Sequence, residues 1–445
     1  MKKQIYLMIL LAFLLTHCTH KENNSHSNKT VFLQKTSSGY DLIRNGKPYY
    51  IRGAGGSSNF AELAELGGNT IRLYDTLQIE KKLDEAHKNN LAVIVDIPIP
   101  PYHKKYDYYS DDHENMVMKE NIKLLVSKHK DHPALLMWNL GNELYYPFVL
   151  LRKNNFIRTF NELIDIIKSE DPNHPVSTAV AGVGRLSAIS IYFNSPRLDL
   201  LAYNIFSDTP NLFSKIEQIS YISGKKPYYI SEFGANGPWE SSVTSWLAPI
   251  ENSSFKKNEQ IKERYLFIEN NKSPQCLGTL LFYWGNKHER TYTWFSLFMD
   301  DKKHESLKTV KHLWNETEIN DSDIGLQYIV VDGKGSFDNI VFEPNQVKHS
   351  EAVFSNGNPT DVQIKWEIYP EAWSWPWWLR QDTTKMDFSP VRKMENFLSF
   401  NENKATFITP GKDGAYRIFA YVFDSEGYFA TANIPFYILS KNENN

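Results

Sequence analysis

Eight short apolar runs, separated by amphipathic segments, fill the chain from residue 49 to residue 317. They read YYIRGAGG (49–56), NTIRLYDT (69–76), LAVIVDIPI (91–99), ALLMWNLGNE (134–143), PVSTAVAG (175–182), LDLLAYNIF (198–206), PYYISEFG (227–234) and CLGTLLFYWG (276–285). Their length and their β-branched or aromatic content suit buried parallel strands. The segments between them carry helical spacing. Residues 114–130 place Met118, Ile122, Leu125 and Val126 on one face, and residues 155–172 do the same with Phe156, Phe160, Leu163 and Ile167. Residues 306–316 read as a last helix. Eight strand–helix units predict an α/β chain whose residues 31–317 form a (β/α)₈ TIM barrel. An open doubly wound sheet is the alternative, but GAGG at 53–56 falls short of the phosphate loop that such a sheet carries after its first strand.

The periodicity changes after residue 317. Short strands alternate with Gly, Pro, Asn and Asp turns, which predicts an immunoglobulin-like β-sandwich over residues 318–445. At the other end, Lys2 and Lys3 precede an apolar run at 5–15 that is too short to cross a bilayer as a helix. It reads as a signal peptide over residues 1–18. Leu15-Thr16-His17-Cys18 resembles a bacterial lipobox, although His17 stands where a small residue is usual. Lipidation of Cys18, a polar tether over 19–30 and attachment to the bacterial outer membrane are the expectations. The other cysteine, Cys276, opens an apolar run and reads as a buried, inert thiol. A formal net charge of −3 argues against a nucleic-acid partner.

In barrels of this kind the active site lies at the carboxyl ends of the strands. Arg52 ends the first run, Arg72 and Asp75 the second, Asn142 and Glu143 the fourth. Tyr203 and Asn204 end the sixth, Glu232 the seventh and Trp284 the eighth. Glu143 and Glu232 can face one another across the barrel mouth. Retaining glycosidases use two carboxyl groups roughly 5–5.5 Å apart, one as nucleophile and one as acid/base. The nucleophile must stay ionised, so Arg52 or Arg72 and a hydrogen bond from Tyr203 should lower the pKa of Glu232. The acid must keep its proton, which the apolar flank of Leu144, Tyr145 and Tyr146 favours for Glu143. Glu289 and Glu240 are weaker carboxylate candidates. DDHE at 111–114 lacks a metal-ligand spacing, so neither metal nor cofactor is expected. The aromatic segment 99–115 reads as a wall of the cleft or only a cover on the barrel rim, segment 286–295 as another cleft wall, and Tyr145 and Tyr146 as lining the rim, Tyr145 toward the sugar. EAWSWPWWLR at 371–380 reads as an apolar patch buried against the barrel, with a sugar-stacking platform as the other reading.

WNLGNE (138–143) and SEFG (231–234) resemble the acid/base and nucleophile motifs of the retaining (β/α)₈ glycosidases of clan A, nearest the glycoside hydrolase family 2 catalytic barrel. GGNTIRLYDT (67–76) resembles the same clan and the fungal β-1,3-glucanosyltransferases. The resemblance covers about residues 30–317. It implies that Asn142 bonds the sugar 2-hydroxyl, Glu143 is the acid/base and Glu232 the nucleophile. It also implies that Arg72 sits beneath the nucleophile and that Trp284 floors the subsite where the bond breaks. Asn139 departs from the Trp-Ser often found in the family 2 acid motif, so substrate preference does not carry over. The expected protein is an exported glycoside hydrolase that cleaves β-linked oligo- or polysaccharides with retention. A transglycosylase using the same residues and a non-catalytic surface glycan-binding lipoprotein are the rivals.

Overall fold

The computed structural model describes residues 30–102, 108–148, 154–318, 324–355, 357, 359, 361–371, 393–394 and 397–441. Cys18 and the tryptophan-rich residues 372–380 lie outside the described residues. A small antiparallel sheet comes first: β1 (Val31–Lys35), β2 (Tyr40–Arg44) and β3 (Lys47–Pro48). Eight parallel strands then close a barrel in chain order. They are β4 (Ile51–Gly56), β5 (Thr70–Leu73), β6 (Ala92–Ile97), β7 (Leu135–Asn142), β8 (Val176–Ala181), β9 (Leu200–Asn204), β10 (Tyr228–Phe233) and β11 (Cys276–Trp284). Each falls inside one of the eight apolar runs.

A helix follows each barrel strand in turn: α1 (Phe60–Glu65), α2 (Ile79–Lys88), α3 (Asp112–His129), α4 (Asn155–Glu170), α5 (Arg185–Asn194), α6 (Leu212–Ser223), α7 (Ser254–Asn271) and α8 (Ser306–Asn315). In α4 the stripe of Phe156, Phe160, Leu163 and Ile167 is fully buried, as its spacing requires. Asn154 caps that helix by accepting the Ile157 amide at 3.0 Å. Asp111, from the DDHE stretch, caps α3 through the amides of His113 and Glu114. Among the described residues no helix is long and apolar enough to cross a membrane.

Strand alternation divides the barrel side chains between two cores. Ile51, Ala92, Ile94, Leu200 and Ala202 pack inside, over Val31 and Leu42 of the first sheet, which closes the amino-terminal end. Ile71, Val93, Val95, Trp138, Leu201, Tyr203 and Ile230 point outward into the helix layer.

β12 (Asn286–Glu289) and β13 (Thr291–Ser296) form a hairpin after the last barrel strand, followed by β14 (Phe298–Met299) and β15 (Lys302–His304). The rest of the chain is β16 (Leu326–Val331), β17 (Val341–Phe342), β18 (Val347–Phe354), β19 (Val362–Pro370), β20 (Phe397–Asn401), β21 (Lys404–Ile408), β22 (Gly414–Asp424) and β23 (Tyr428–Ile438). One sheet runs β14-β15-β23-β22-β19, with β17 also on β23; the other runs β16-β18-β21-β20. Leu326, Ile329, Phe354 and Phe407 of the second sheet share an apolar core with Trp366, Ile418, Val422 and Phe436 of the first.

The first of these sheets crosses residue 317, because β15 pairs with β23. A buried polar cluster reinforces that junction. Glu251 accepts from Lys257 Nζ at 2.6 Å, Thr291 Oγ1 at 2.5 Å and Asn433 Nδ2 at 2.7 Å. Arg417 reaches Asn433 Oδ1 at 2.6 Å and the Pro249 carbonyl at 2.7 Å. Burial opposes the charge on Glu251, yet Lys257, Thr291 and Arg417 hold its carboxyl below the usual range.

Candidate active site

Arg72 is the fully buried centre of the carboxyl-terminal end of the barrel. Its Nε and Nη2 donate to the two Asp96 oxygens at 3.0 and 2.7 Å. Nη1 donates to Glu232 Oε1 at 3.0 Å and Nη2 to Asn142 Oδ1 at 2.8 Å. One guanidinium thus ties together β5, β6, β7 and β10. The fork geometry of arginine suits this task, since it offers several donors in fixed directions. Tyr74 lies over it, with the Arg72 Cζ 4.6 Å from the ring centroid. The Tyr74 hydroxyl faces Glu232 and favours its ionised form. Glycine is required opposite that ring, because a Cβ at Gly55 would meet Tyr74 Oη at 2.2 Å. This accounts for part of GAGG in physical terms.

Asn204, at the end of β9, is the second connector. Its Nδ2 donates to Glu143 Oε1 at 2.8 Å and to Asn142 Oδ1 at 3.1 Å, while its Oδ1 accepts from Ser231 Oγ at 2.7 Å. Asn142 Oδ1 therefore takes two donors, which turns its Nδ2 toward anything bound above. Register shifts interrupt β7 between Asn139 and Asn142, and β10 between Ile230 and Glu232. Such irregularities re-aim side chains at barrel rims. Glu143 itself adopts φ 52, a left-handed conformation rare for a glutamate.

Above these residues opens a cavity of about 640 Å³. Phe206, Trp239, Phe282 and Tyr283 supply its aromatic wall, and Asp208, Glu240, Lys287 and Glu289 its charged rim. The Phe282–Tyr283 peptide is cis. Lys287 and Glu289 lie on β12, so the segment after the eighth run does form a cleft wall. Among the described residues no cluster of His, Cys, Asp and Glu could hold a metal ion.

Arg72, Asn142, Glu143 and Glu232 come together as the sequence predicts. Five other expected residues, Tyr203, Arg52, Trp284, Tyr145 and Asp75, do not. Tyr203 is buried outside the barrel wall, with its ring 5.7 Å from that of Tyr228. Arg52 also points outward and donates to the Trp314 carbonyl. Trp284 is fully buried, bonds the Asn59 carbonyl at 3.0 Å and stacks on Trp314 at 6.0 Å. The reason is parity. Neighbouring strand residues face opposite sides, so Asn204 inside puts Tyr203 outside, and Ile51 and Gly53 inside put Arg52 outside. Phe282 and Tyr283 take the place expected for Trp284. Tyr145 stands at the surface, its ring stacked on Tyr102 at 6.1 Å, and Tyr146 is buried against Ser195. Asp75 pairs with Lys82 instead of entering the site. The sequence reading missed Tyr74, Asp96, Phe282, Tyr283 and Trp239. The first two were accessible to it, since they share the inward parity of Arg72 and Ile94.

The electrostatic expectation is reversed. Burial pushes Glu232 up to about 8, Arg72 pulls against this, and the charge of Glu143 adds to the rise. Arg72 also serves Asp96, whose own carboxyl is raised by burial despite the pairing. Glu143 is exposed, not set in an apolar pocket. Glu232 therefore keeps its proton to about pH 8 in the free site. A stability consequence follows. Glu232 binds its proton more tightly folded than unfolded, where its pKa is about 4.3. Its contribution is full below that value and is lost as pH rises toward 8. Thermal melts from pH 5 to 9 should show the wild type losing stability over that window and Glu232→Gln keeping a flatter profile. Parallel curves would refute the assignment.

Residues 75–266 match the family model described as Glycosyl hydrolases family 2, TIM barrel domain. The beta-glucuronidase of Felis catus is 26% identical over 225 residues, which are 44% of this chain and 32% of that protein. Mannan endo-1,4-beta-mannosidase F of Aspergillus clavatus is 35% identical over 81 residues, 18% of each chain. The solved beta-D-glucuronidase of Dictyoglomus thermophilum superposes with a TM-score of 0.51 at 17% identity, covering 65% of this chain and 54% of that one. The chain spans about a third, 32%, of the length of the beta-glucuronidases it matches.

Proposed function

We propose that this barrel, which is a clan A (β/α)₈ glycosidase barrel near glycoside hydrolase family 2, hydrolyses β-linked glycans through a retaining double displacement. The observation that carries the reading is the pair of glutamates at the ends of the fourth and seventh barrel strands, Glu143 and Glu232, joined in one cleft through Asn204 and Arg72. The similarity to beta-glucuronidases and a beta-mannosidase supports a β-linked substrate.

Glu232 is the nucleophile in this reading. Its Oε1 already accepts from Arg72, a charge-assisted bond that suits a carboxylate, and Tyr74 stands beside it. Glu143 is the acid/base. A sugar ring seated in the cleft brings its leaving oxygen to the exposed Glu143, while Arg72 stays in place beneath Glu232. The proton that Glu232 holds in the free site passes to Glu143, which delivers it to the leaving oxygen, as Glu232 attacks the anomeric carbon. Water activated by Glu143 releases the sugar in the second step. Asn142 Nδ2 holds the 2-hydroxyl. The reading predicts that kcat/KM falls on the alkaline side near pH 8, when Glu232 loses the proton the first step needs.

The test is product stereochemistry. Proton NMR during digestion of a β-glycan panel should show the β-anomer first. An initial α-anomer, or no cleavage of any glycan, ends the proposal. Excess acceptor in the same tubes separates transfer to sugar from transfer to water.

We further propose that residues 1–18 are a lipoprotein signal peptide and that Cys18 carries the lipid of an outer-membrane anchor. Cys18→Ala should move the protein from the membrane to the soluble fraction, and a wild type already soluble would refute the anchor. The two sheets that follow the barrel are read as an immunoglobulin-like β-sandwich.

A further inference from the structure

We infer that this cleft selects neutral sugars and rejects uronic acids, an inference that rests on the glycosidase reading above. Five acidic side chains line the cavity, Glu143, Asp208, Glu232, Glu240 and Glu289, all but the proton-holding Glu232 placed to meet a bound sugar as carboxylates, against one basic side chain among the described residues, Lys287. That lysine is engaged. Its Nζ lies 2.7 Å from Glu289 Oε2 and 5.3 Å from the centroid of the Phe282 ring. Beneath the floor, Arg72 divides its charge between Asp96 and Glu232.

The acidic walls are fixed in place. Glu240 accepts from the Ser207 amide at 3.0 Å and the Ser207 hydroxyl at 2.7 Å, which joins the segments after β9 and β10. Asp208 is held by Lys215 and accepts from Asn211 Nδ2 at 2.8 Å. Arg264, the cation that faces Glu240, donates to the Gly234 carbonyl and Asn236 Oδ1.

A uronate brings a carboxylate of its own. Seating it requires either a place among like charges or rupture of the Lys287–Glu289 pair. Like-charge contacts are a strong means of rejecting a wrong partner. A neutral sugar carries a hydroxymethyl group at the same carbon and meets neither obstacle. The rest of the wall suits a neutral ring. Trp239 is 52% exposed and sits edge-on to Phe206 at 5.6 Å, beside Phe282 and Tyr283, so it offers a flat face on which a pyranose can stack.

The test uses matched 4-nitrophenyl glycosides that differ only at C6: β-glucoside with β-glucuronide, β-galactoside with β-galacturonide, and β-mannoside with β-mannuronide. Binding is measured in parallel by calorimetry on Glu232→Gln, with neutral β-gluco- and β-manno-oligosaccharides and their C6-oxidised forms. The neutral member of the pair that turns over should lead in kcat/KM by at least about 100-fold. Glu289→Gln releases Lys287 and should narrow that gap by about tenfold. A uronide equal to or better than its neutral partner overturns the inference and leaves the glycosidase reading standing. Neutral preference in binding without turnover of any glycoside supports the inference and overturns the catalytic reading. Failure to bind or cleave any sugar overturns both.

Discussion

Glu232→Ala should lose activity by a factor on the order of 10⁴–10⁶, because no glycosyl-enzyme can form without the nucleophile. Azide should restore part of that activity and give a glycosyl azide of inverted configuration, since it enters the space the carboxylate leaves. Glu143→Ala should behave differently. Aryl glycosides with good leaving groups need little protonation, so their first step survives and the glycosyl-enzyme accumulates. Azide then speeds its breakdown with retained configuration. The contrast separates two carboxylates whose burial in the free site runs against their assigned roles. Full activity of Glu143→Ala on a natural glycan, or one azide anomer from both variants, would reverse or remove the assignment.

Arg72→Met should damage both stability and catalysis. It leaves Asp96 and Glu232 buried without their cation. Breaking a buried pair by deleting one partner costs about 3–5 kcal/mol. Protons taken up by the orphaned carboxylates limit that loss at low pH, so the deficit should grow as pH rises. Activity should fall by a factor on the order of 10²–10³, since the group that favours ionised Glu232 is gone. Adding Asp96→Asn should recover stability but not activity. Recovery of both would mean that Arg72 only fills space.

The barrel was legible because its signal is periodic. Eight buried strands must be apolar on both faces, and each amphipathic helix must show one stripe, so composition alone marks the units. The candidate pair was legible because Glu143 and Glu232 end such runs, where chance seldom places two acids. Parity was the step that failed. Arg52, Tyr203 and Trp284 carry chemistry suited to a site, yet each stands one residue away from a side chain already facing inward. Bulges obscure the pattern further. Glu232 follows Ser231 inward only because β10 is irregular at that point, and nothing in SEFG announces it. Burial was equally hidden. The rings beside Glu143 in sequence turn elsewhere, and the desolvation falls on Glu232.

The pairing of β15 with β23, and the buried cluster around Glu251, bear on how such a chain could change over generations. The hairpin that lines the cleft is fastened through Thr291 and Thr293 to the same glutamate that Asn433 holds from the far end of the sequence. Recombination that cut near residue 317 would open a sheet edge in both products, at β15 in one and at β23 in the other, and would take Asn433 away from Glu251. The barrel and the sheets after residue 317 are therefore constrained to be inherited together, and the rim of the cleft can drift only as far as its partner in the later sheets allows.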